Sequence, residues 1–333
     1  MVLCRRTQGT LVPIKENHYY MADLSVEFCG VKFKNPIVLA SGILGVTADS
    51  MAQVVRNGAG GVTSKSLWPY EHMGHPNPTI ITSEHYMLNA VGIPDAGPEK
   101  AKEEIARYRE VCDAPFIANI VGGVMDDYAA IAAEVALMGP DIVELNISCP
   151  NVEDELGKPM ACSVAKSSEV TKLVRKVLNE NGAGKIPLIV KLSPNVENIV
   201  SIAKSVLEAG ADGITAVNSV GPGMAIDIDF AQPILANKVG GLTGPAIKPL
   251  AIKYVYDIYR ATKTPIIGTG GISTGRDAIE MMMAGATLVG VGSAVWLRGQ
   301  DVFGKIVNEM NEWCDANGVK KLSDLIGKVH ANH

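Results

Sequence analysis

The chain has 333 residues, of which 47% are hydrophobic and 20% are charged. This length and apolar content support a large buried core, which excludes a disordered chain and a small disulfide-stapled scaffold. A formal net charge of −5 and an aromatic content of 5% argue against a nucleic-acid partner.

The termini and cysteines indicate the compartment. No apolar stretch reaches the roughly 18 residues needed to span a bilayer. The first residues, MVLCRRTQGT, lack a signal-peptide core, so we expect a cytoplasmic protein without a membrane partner. The six cysteines are scattered without CxxC spacing, so we expect no disulfide framework, no metal site and no iron–sulfur cluster held by this chain alone. Residues 1–22 look like an appended N-terminal extension that could be mobile, and 23–333 like one domain.

Eight short, β-branched apolar runs follow one another along the chain. They are 36–42, 60–66, 116–122, 142–149, 187–193, 213–219, 264–271 and 288–294. Amphipathic segments lie between them, at 99–112, 127–138, 168–180, 196–209, 246–261 and 276–284. Strands that are apolar throughout belong to a parallel sheet buried on both faces. The pattern predicts an α/β fold, a single-domain (β/α)8 TIM barrel with active-site loop insertions. A doubly wound sheet is the alternative, weakened because no early GxGxxG follows the first strand.

Each run ends in polar or glycine residues, where such a barrel has its active site. These ends are Ser41-Gly42, Lys65-Ser66, Asn119, Asn146 with Ser148-Cys149, Lys191, Asn218-Ser219, Gly270-Gly271 and Gly292-Ser293. Turn chemistry explains the glycines and serines. It does not explain two lysines and three asparagines, which indicate a ligand site.

The last two runs predict a phosphate site. Gly270 and Gly271 precede a helix that residues 273–275 open. Glycine lets backbone N–H groups approach an anion, and a helix N-terminus adds a favourable dipole. Gly292 and Ser293 end the eighth run, and the loops after strands seven and eight often hold phosphate in these barrels. A third glycine cluster, 240–249, could close over the same group.

Cys149 lies at a strand end, in the segment LNISCPNV. A free cysteine usually packs as a small hydrophobe. The following proline ends the strand and directs the thiol into a loop, and a cysteine that acts as general base on a carbon acid needs no triad. Lys65 and Lys191 could each pair with a phosphate or carboxylate, or form a Schiff base. Several amides near one pocket suit a planar ligand with alternating N–H and C=O groups, such as a pyrimidine.

These segments together resemble the dihydroorotate dehydrogenases of the soluble class, which use a cysteine base. The matching segments are VLASG, TSKS, MLNAVGI, NISCPNV, KLSPN, VNS, GGLTGPAIKP, GTGGI and VGSA, in the family's order over residues 24–310. The resemblance implies an FMN enzyme that oxidises dihydroorotate to orotate in pyrimidine biosynthesis. GGLTGPAIKP is most similar to the FMN-containing catalytic subunit of the NAD-linked group.

The resemblance also implies residue roles. Cys149 would remove a proton from carbon C5 of dihydroorotate while hydride passes from C6 to N5 of FMN, and Lys65 would lie near both flavin and substrate. The implied substrate-binding residues are Lys65, Asn89, Ala90, Val91, Gly92, Ile93, Asn146, Asn151, Asn218 and Ser219. The implied FMN-binding residues are Ser41, Lys65, Ser66, Asn119, Asn146, Lys191, Val217, Gly244, Gly270, Gly271, Gly292 and Ser293. Lys191 would stabilise negative charge on reduced flavin, and the 150–166 loop would act as a lid.

The partners implied are a second copy of the chain and a subunit that carries FAD and a 2Fe–2S cluster, in a heterotetramer. A fumarate-reducing homodimer and a dihydropyrimidine dehydrogenase are the alternatives within the same chemistry. Asn151 favours orotate, because dihydropyrimidine dehydrogenases typically have His after Ser-Cys-Pro. The segment IPDAG and the histidine-rich 67–85 loop depart from the family pattern and leave a related substrate open. A phosphosugar aldolase that uses Lys191 as its Schiff-base lysine, and a non-catalytic flavin carrier, are the alternatives from other classes.

Overall fold

The computed structural model describes residues 4–7, 10–13, 22–148 and 163–332. Eight of its strands pair in parallel and close into a barrel. They are β1 (Ile37–Leu39), β2 (Gly61–Thr63), β3 (Phe116–Ile120), β4 (Ile142–Asn146), β5 (Leu188–Leu192), β6 (Gly213–Ala216), β7 (Ile266–Thr269) and β8 (Leu288–Val291). Each strand pairs with the next in sequence, and β8 pairs with β1. The predicted (β/α)8 barrel is therefore confirmed.

Helices follow the strands and surround the barrel. They are α1 (Ala48–Arg56), α2 (Pro98–Val111), α3 (Met125–Met138), α4 (Val164–Glu180), α5 (Ile199–Glu208), α6 (Lys248–Thr262), α7 (Gly275–Ala284), α8 (Ala294–Arg298) and α9 (Val302–Ala316). Short 3₁₀ turns occupy Pro245–Ile247, Leu322–Leu325 and Lys328–Asn332. Six of these helices, α2 to α7, correspond to the predicted amphipathic segments, whereas the sequence patterns do not predict α1, α8 and α9.

Two antiparallel hairpins precede the barrel. Strands Val26–Phe28 and Val31–Phe33 pair with each other, and their phenylalanines are fully buried. Phe33 packs against Gly61, the first residue of β2, so this hairpin closes the amino-terminal end of the barrel. Strands Cys4–Thr7 and Thr10–Pro13 form the other hairpin, within the segment that the sequence predicts to be an extension. The boundary at residue 22 stays a prediction.

The loops after β2 and β6 together build a four-stranded antiparallel sheet, here called the loop sheet. Its strands run in the order Val220–Gly223, Gly240–Thr243, Met87–Asn89 and Ile80–Thr82. Ile226–Asp227 and Gln232–Pro233 form a further short hairpin beside it. Because both contributing loops leave the carboxyl ends of their strands, the loop sheet lies at the end of the barrel where sites of this architecture occur. The loops after β2 and β6 are therefore structured insertions that frame the barrel mouth.

Candidate active site

The residues predicted at the strand ends lie together at the carboxyl end of the barrel. They are Ser41 after β1, Lys65 and Ser66 after β2, Asn119 in β3, Asn146 in β4, Lys191 in β5, Val217 to Ser219 after β6, Gly270 and Gly271 after β7, and Gly292 and Ser293 after β8. Cys149 and Asn151 lie outside the described residues, as does most of the predicted 150–166 lid. The last residues of that segment begin α4, where the Ser163 side chain accepts a hydrogen bond from the Lys166 backbone N–H.

A chain of hydrogen bonds crosses the barrel mouth from β2 to β6. The Asn146 amide donates to Ser66 Oγ at 3.3 Å, and its oxygen accepts from Ser148 Oγ at 2.8 Å. Asn218 Nδ2 donates to the same Ser148 hydroxyl at 2.8 Å, and Asn218 Oδ1 accepts from the backbone N–H of Ser219 at 2.8 Å. This Ser66–Ser219 network, of four side chains and the Ser219 backbone N–H, fixes the amides of two predicted substrate-binding residues in one orientation.

Asn119 and Glu144 form a second, deeper pair inside the barrel. Asn119 is 0% exposed and Glu144 is 2% exposed. Asn119 Nδ2 donates to Glu144 Oε1 at 2.5 Å, and Thr215 Oγ1 donates to Glu144 Oε2 at 2.5 Å. Asn119 Oδ1 is buried and has no hydrogen-bond partner among the described residues. An unsatisfied buried acceptor costs free energy unless a bound molecule supplies the donor, so this atom points to a ligand N–H or O–H.

Lys191 is the buried cation of the barrel mouth, with 5% of its surface exposed. It is in register with Asn146 on β4 and with Thr215 on β6. Residues in register on adjacent strands project to the same face, so Lys191 shares the inner face with those two side chains. Within the described ranges its ammonium makes neither an ion pair nor a side-chain hydrogen bond. A buried lysine is normally paired, which indicates an anionic or electron-rich ligand.

Lys65 faces a carboxylate across the mouth. Burial lowers the pKa of Lys65, and the negative charge of Asp95 opposes that shift. The pKa of Asp95 is raised by burial, against the effect of backbone hydrogen bonds and of Lys65. Asp95 Oδ2 accepts from the Trp68 backbone N–H at 2.8 Å, which ties the chain after β2 to the segment after residue 89. Asp95 therefore favours the charged form of Lys65 and holds the chain that follows it.

The turn from Asn89 to Ile93 offers free backbone donors. Gly92 has φ +73° and Ile93 has φ +49°, and within the described chain the N–H groups of Val91, Gly92 and Ile93 donate no hydrogen bond. Consecutive unpaired N–H groups in a turn form an anion-binding concavity. The Asn89 amide donates to the Gly241 carbonyl at 3.2 Å, and the Ala90 N–H donates to Thr79. The turn is thus held by the loop sheet while the N–H groups of Val91, Gly92 and Ile93 stay available for a ligand.

The glycine loops after β7 and β8 also present free N–H groups. Gly270 and Gly271 have φ +133° and +76°, a region that L-residues with a Cβ rarely adopt. The N–H groups of Gly270, Gly271, Gly292 and Ser293 donate no hydrogen bond to any described residue. These donors suit an anion such as phosphate.

The amino terminus of α7, by contrast, is already satisfied. The N–H groups of Ser273 and Thr274 donate to Asp277 Oδ2 at 3.0 and 2.8 Å, and that of Gly275 donates to Glu309 Oε2 at 2.6 Å. Two carboxylates therefore occupy the position where the sequence pattern suggests a helix dipole for an anion. The free donors for a phosphate are those of the preceding glycines.

The remaining predicted residues frame the same opening. Ser41 is half-buried after β1, and the Val217 N–H donates to the Thr269 carbonyl at 2.8 Å. Gly244, at φ +92°, lies beside the backbone of Tyr86 and His85. The glycine cluster 240–249 divides, because its first half pairs with the strand Met87–Asn89 and its second half packs against Gly270 and Gly271.

Three residues near the site are absent from the sequence-based prediction. Glu144 and Thr215 sit inside strands whose other residues are apolar, and a charged residue in such a strand must find partners. That rule alone could have identified Glu144 in IVELN. Asp95 gave no comparable signal, because its contacts to Trp68 and Lys65 depend on the path of the loop.

Neither a membrane span nor a metal centre is visible in the described part of the chain. No helix there is long and apolar enough to cross a bilayer. Across the same ranges, His, Cys, Asp and Glu form no group of three or more that could hold a metal ion.

Comparison with known proteins gives one consistent result. The profile of the family described as dihydroorotate dehydrogenase matches residues 23–313. Three relatives bear the name dihydroorotate dehydrogenase B (NAD(+)), catalytic subunit. That of Methanocaldococcus jannaschii is 42% identical over 310 residues, 92% of this chain and 98% of the relative. Those of Methanothermobacter thermautotrophicus (38%, covering 94% and 99%) and Methanosarcina mazei (40%, covering 90% and 93%) are similar. With the profile match spanning the barrel and its mouth, the chain belongs to the dihydroorotate dehydrogenase family.

Proposed function

We propose that this chain oxidises dihydroorotate to orotate in pyrimidine biosynthesis, with FMN as its resident cofactor, and passes the electrons to NAD through a partner subunit. The proposal rests on the Ser66–Ser219 network. Its fixed amides and hydroxyls alternate donors and acceptors across the mouth, as recognition of a pyrimidine ring with alternating N–H and C=O groups requires. The names of the relatives, which specify NAD(+) and a catalytic subunit, support the same activity.

The residues at the mouth fit FMN. The buried, unpartnered Asn119 Oδ1 requires a donor from a ligand, and the free N–H groups of Gly270, Gly271, Gly292 and Ser293 suit its phosphate. The remaining residues that we assign to FMN are Ser41, Lys65, Ser66, Asn146, Lys191, Val217 and Gly244. When bound, FMN supplies the two-electron acceptor of the reaction. Lys191, buried and without an acidic partner in the described ranges, would stabilise negative charge there as a preorganised cation.

We assign the substrate carboxylate to the Asn89–Ile93 turn and Lys65. The free N–H groups of Val91, Gly92 and Ile93 provide directed donors, and the Lys65 ammonium provides the charge. Asn146, Asn218 and Ser219 would bind the pyrimidine ring through the Ser66–Ser219 network. We assign Ala90 to the same turn, where it offers no free donor because its own N–H is bonded to the Thr79 carbonyl. We also assign Asn151 to the ring, on the sequence alone.

Cys149 is the proposed general base that removes the proton from carbon C5 of dihydroorotate. It follows Ser148 directly in sequence, and Ser148 is the hydroxyl at the centre of the Ser66–Ser219 network. A base at this point needs only to reach the acidic C–H of a held substrate. The assignment rests on the sequence, as does that of the 150–166 lid.

The test is anaerobic reduction of the FMN-loaded chain. Bound flavin should bleach when dihydroorotate is added. In Cys149→Ala the flavin should stay bound while bleaching slows by about a hundredfold or more, because general-base catalysis typically contributes about 10² to 10⁴ in rate. Cys29→Ala is the matched control. Burial raises the pKa of the Cys29 thiol to about 12, and its sulfur lies beside Gly213 at the start of β6, at the opposite end of the barrel. Bleaching of Cys149→Ala at wild-type speed would remove the base assignment.

We further propose a homodimer within a heterotetramer, whose second subunit carries FAD and a 2Fe–2S cluster. Exposed apolar side chains of the segment beside the loop sheet support an interface with another chain; they are Met224, Ile226, Ile228, Phe230 and Ile234. Reduced enzyme that passes electrons to NAD only when the second subunit is added would agree with this assignment. Rapid reoxidation by fumarate would contradict it and favour the homodimeric group. The cytoplasmic location rests on the sequence alone.

A further inference from the structure

Glu144 is a buried carboxylate with no part in the proposed reaction. It lies in the middle of β4 and is 2% exposed. Its two described side-chain hydrogen bonds come from Asn119 Nδ2 on β3, the strand beside β4, and from Thr215 Oγ1 on β6, two strands away in the other direction. Each donor lies 2.5 Å from its own carboxylate oxygen. The carboxylate is therefore held from both sides, and its orientation is fixed.

This contact decides which atom of Asn119 faces the barrel mouth. A side-chain amide has a donor end and an acceptor end that are nearly equal in size. Both oxygens of the Glu144 carboxylate accept hydrogen bonds, one from Asn119 Nδ2 and one from Thr215 Oγ1, so Glu144 selects the donor end of the Asn119 amide. The acceptor end, Oδ1, is left buried with no partner in the part of the chain that the structure describes. The backbone N–H of Asn119 donates to Ser64 Oγ at 3.0 Å, which holds the strand in place while the amide is oriented.

We propose that Glu144 is a positioning residue for the flavin: it fixes the Asn119 amide so that Oδ1 accepts the N3–H of the isoalloxazine ring. Oxidised isoalloxazine has a single ring N–H, at N3, so this is the one ring donor that can satisfy the orphaned oxygen. The inference rests on the proposed function, since it requires FMN at the barrel mouth. It adds a specificity element, because a flavin without the N3–H would leave Oδ1 unsatisfied.

The test compares binding of FMN and N3-methyl-FMN to the flavin-stripped chain, by fluorescence titration. Wild type should bind FMN at least about tenfold more tightly than N3-methyl-FMN. One ordinary hydrogen bond corresponds to roughly a tenfold change in affinity, and leaving the buried Asn119 Oδ1 without a donor costs more than that. In Glu144→Gln the new amide can donate to Asn119 Oδ1, so the Asn119 amide can turn and present Nδ2. This variant should bind FMN about tenfold or more weakly and should lose the preference for FMN over the methylated analogue.

Two further variants separate orientation from loss of folding. Thr215→Val removes the other hydrogen bond to Glu144 but keeps the carboxylate beside Asn119, so it should retain the preference for FMN. The exchange Glu144→Gln with Asn119→Asp keeps one carboxylate and one amide in contact, with an acceptor again left over for N3–H. It should restore the preference, and it tests the inference even where the single variant does not fold.

The outcomes distinguish this inference from the proposed function. Wild type that binds neither flavin overturns both. Wild type that binds both flavins equally well keeps FMN as cofactor but removes the contact from Asn119 to N3. A Glu144→Gln variant that retains the wild-type preference, or an exchange variant without any preference, shows that Glu144 does not orient the amide.

Discussion

Replacing Asp277 tests how the loop after β7 is held in place for a phosphate. The Asp277 carboxylate accepts hydrogen bonds from the N–H groups of Ser273 and Thr274 at 3.0 and 2.8 Å. It also pairs with Lys248 Nζ at 2.7 Å, and only 16% of its side chain is exposed. Asp277→Ala would remove all three contacts while leaving the glycines of the loop unchanged.

The magnitude follows from these contacts. A hydrogen bond to a charged group contributes about 1.5–3 kcal/mol. Lys248 keeps a second partner, Glu280, at 2.8 Å, and the freed N–H groups at the helix terminus can bind water. We therefore expect the free energy of unfolding to fall by about 2–4 kcal/mol, less than the sum of three separate bonds. Without these contacts the loop becomes ordered only when FMN binds, and this ordering opposes binding. We therefore expect FMN affinity to fall by about tenfold, which corresponds to about 1.4 kcal/mol of binding free energy.

The loss of stability in Asp277→Ala should depend on pH in a defined direction. Burial opposes ionisation of Asp277, but the hydrogen bonds from Lys248 and Ser273 outweigh it and lower its pKa. A carboxyl whose folded pKa is depressed stabilises the protein above its unfolded pKa, and this stability is lost as pH falls through the folded value. The difference between wild type and Asp277→Ala should thus be full near pH 7 and shrink below about pH 4.

Urea unfolding of the flavin-stripped chain, at both pH values, measures this difference. Asp49→Ala is the control, because Asp49 and Arg107 form an ion pair of 2.9 Å with 69% and 58% of their side chains exposed. An exposed pair contributes about 1 kcal/mol or less. An Asp277→Ala variant that unfolds like that control, or whose loss of stability grows as pH falls, would contradict these contacts.

Two further variants probe the substrate and phosphate ends of the mouth. Asp95→Asn removes the negative charge that opposes the effect of burial on Lys65, so the pKa of Lys65 should fall further. The loss of orotate affinity at alkaline pH should then begin at lower pH than in wild type. An unchanged pH dependence of orotate binding would contradict this. Gly271→Ala places a methyl 2.7 Å from Lys248 Cβ at φ +76°, so we expect a loss of more than about 1 kcal/mol in unfolding free energy together with weaker FMN binding. Gly292→Ala, whose methyl meets nothing closer than 3.7 Å, should fold with near wild-type stability, and equal losses in both variants would exclude a local steric effect.

The sequence predicts where the barrel strands begin better than where they end. The run 142–149 becomes a strand over Ile142–Asn146, and 213–219 becomes Gly213–Ala216. The predicted runs extend past the last paired residues because the chain stays largely buried while it bends into the site. There Asn146 and Asn218 bond to Ser148 instead of to a neighbouring strand. The same residues that identify the site therefore also shorten the strands.

The loop sheet lies beyond the reach of sequence patterns. Its central pairing joins Asn89 to Gly241, 152 residues apart in sequence, and closing such a non-local contact has no local signature. The strand Gly240–Thr243 contains two glycines, which have low strand propensity. Ser219 Oγ approaches Gly241 so closely that a Cβ there would lie 2.3 Å away. The glycines that look like a phosphate loop in sequence thus partly serve to bring a predicted substrate-binding hydroxyl against the loop sheet.

The two lysines of the mouth differ in their counter-charge, and this difference separates their proposed roles. Lys65 shares its surroundings with Asp95, so part of its charge is already balanced and an arriving carboxylate gains less from it. This weaker attraction for the substrate carboxylate does not slow the reaction, since tighter binding of the ground state does not raise the rate of the chemical step. Lys191 has no acidic partner in an ion pair within the described ranges, and Glu144 on the same inner face is occupied by Asn119 and Thr215. Its charge is therefore available for negative charge that develops during the reaction, where a fixed cation in a dry site has its largest effect.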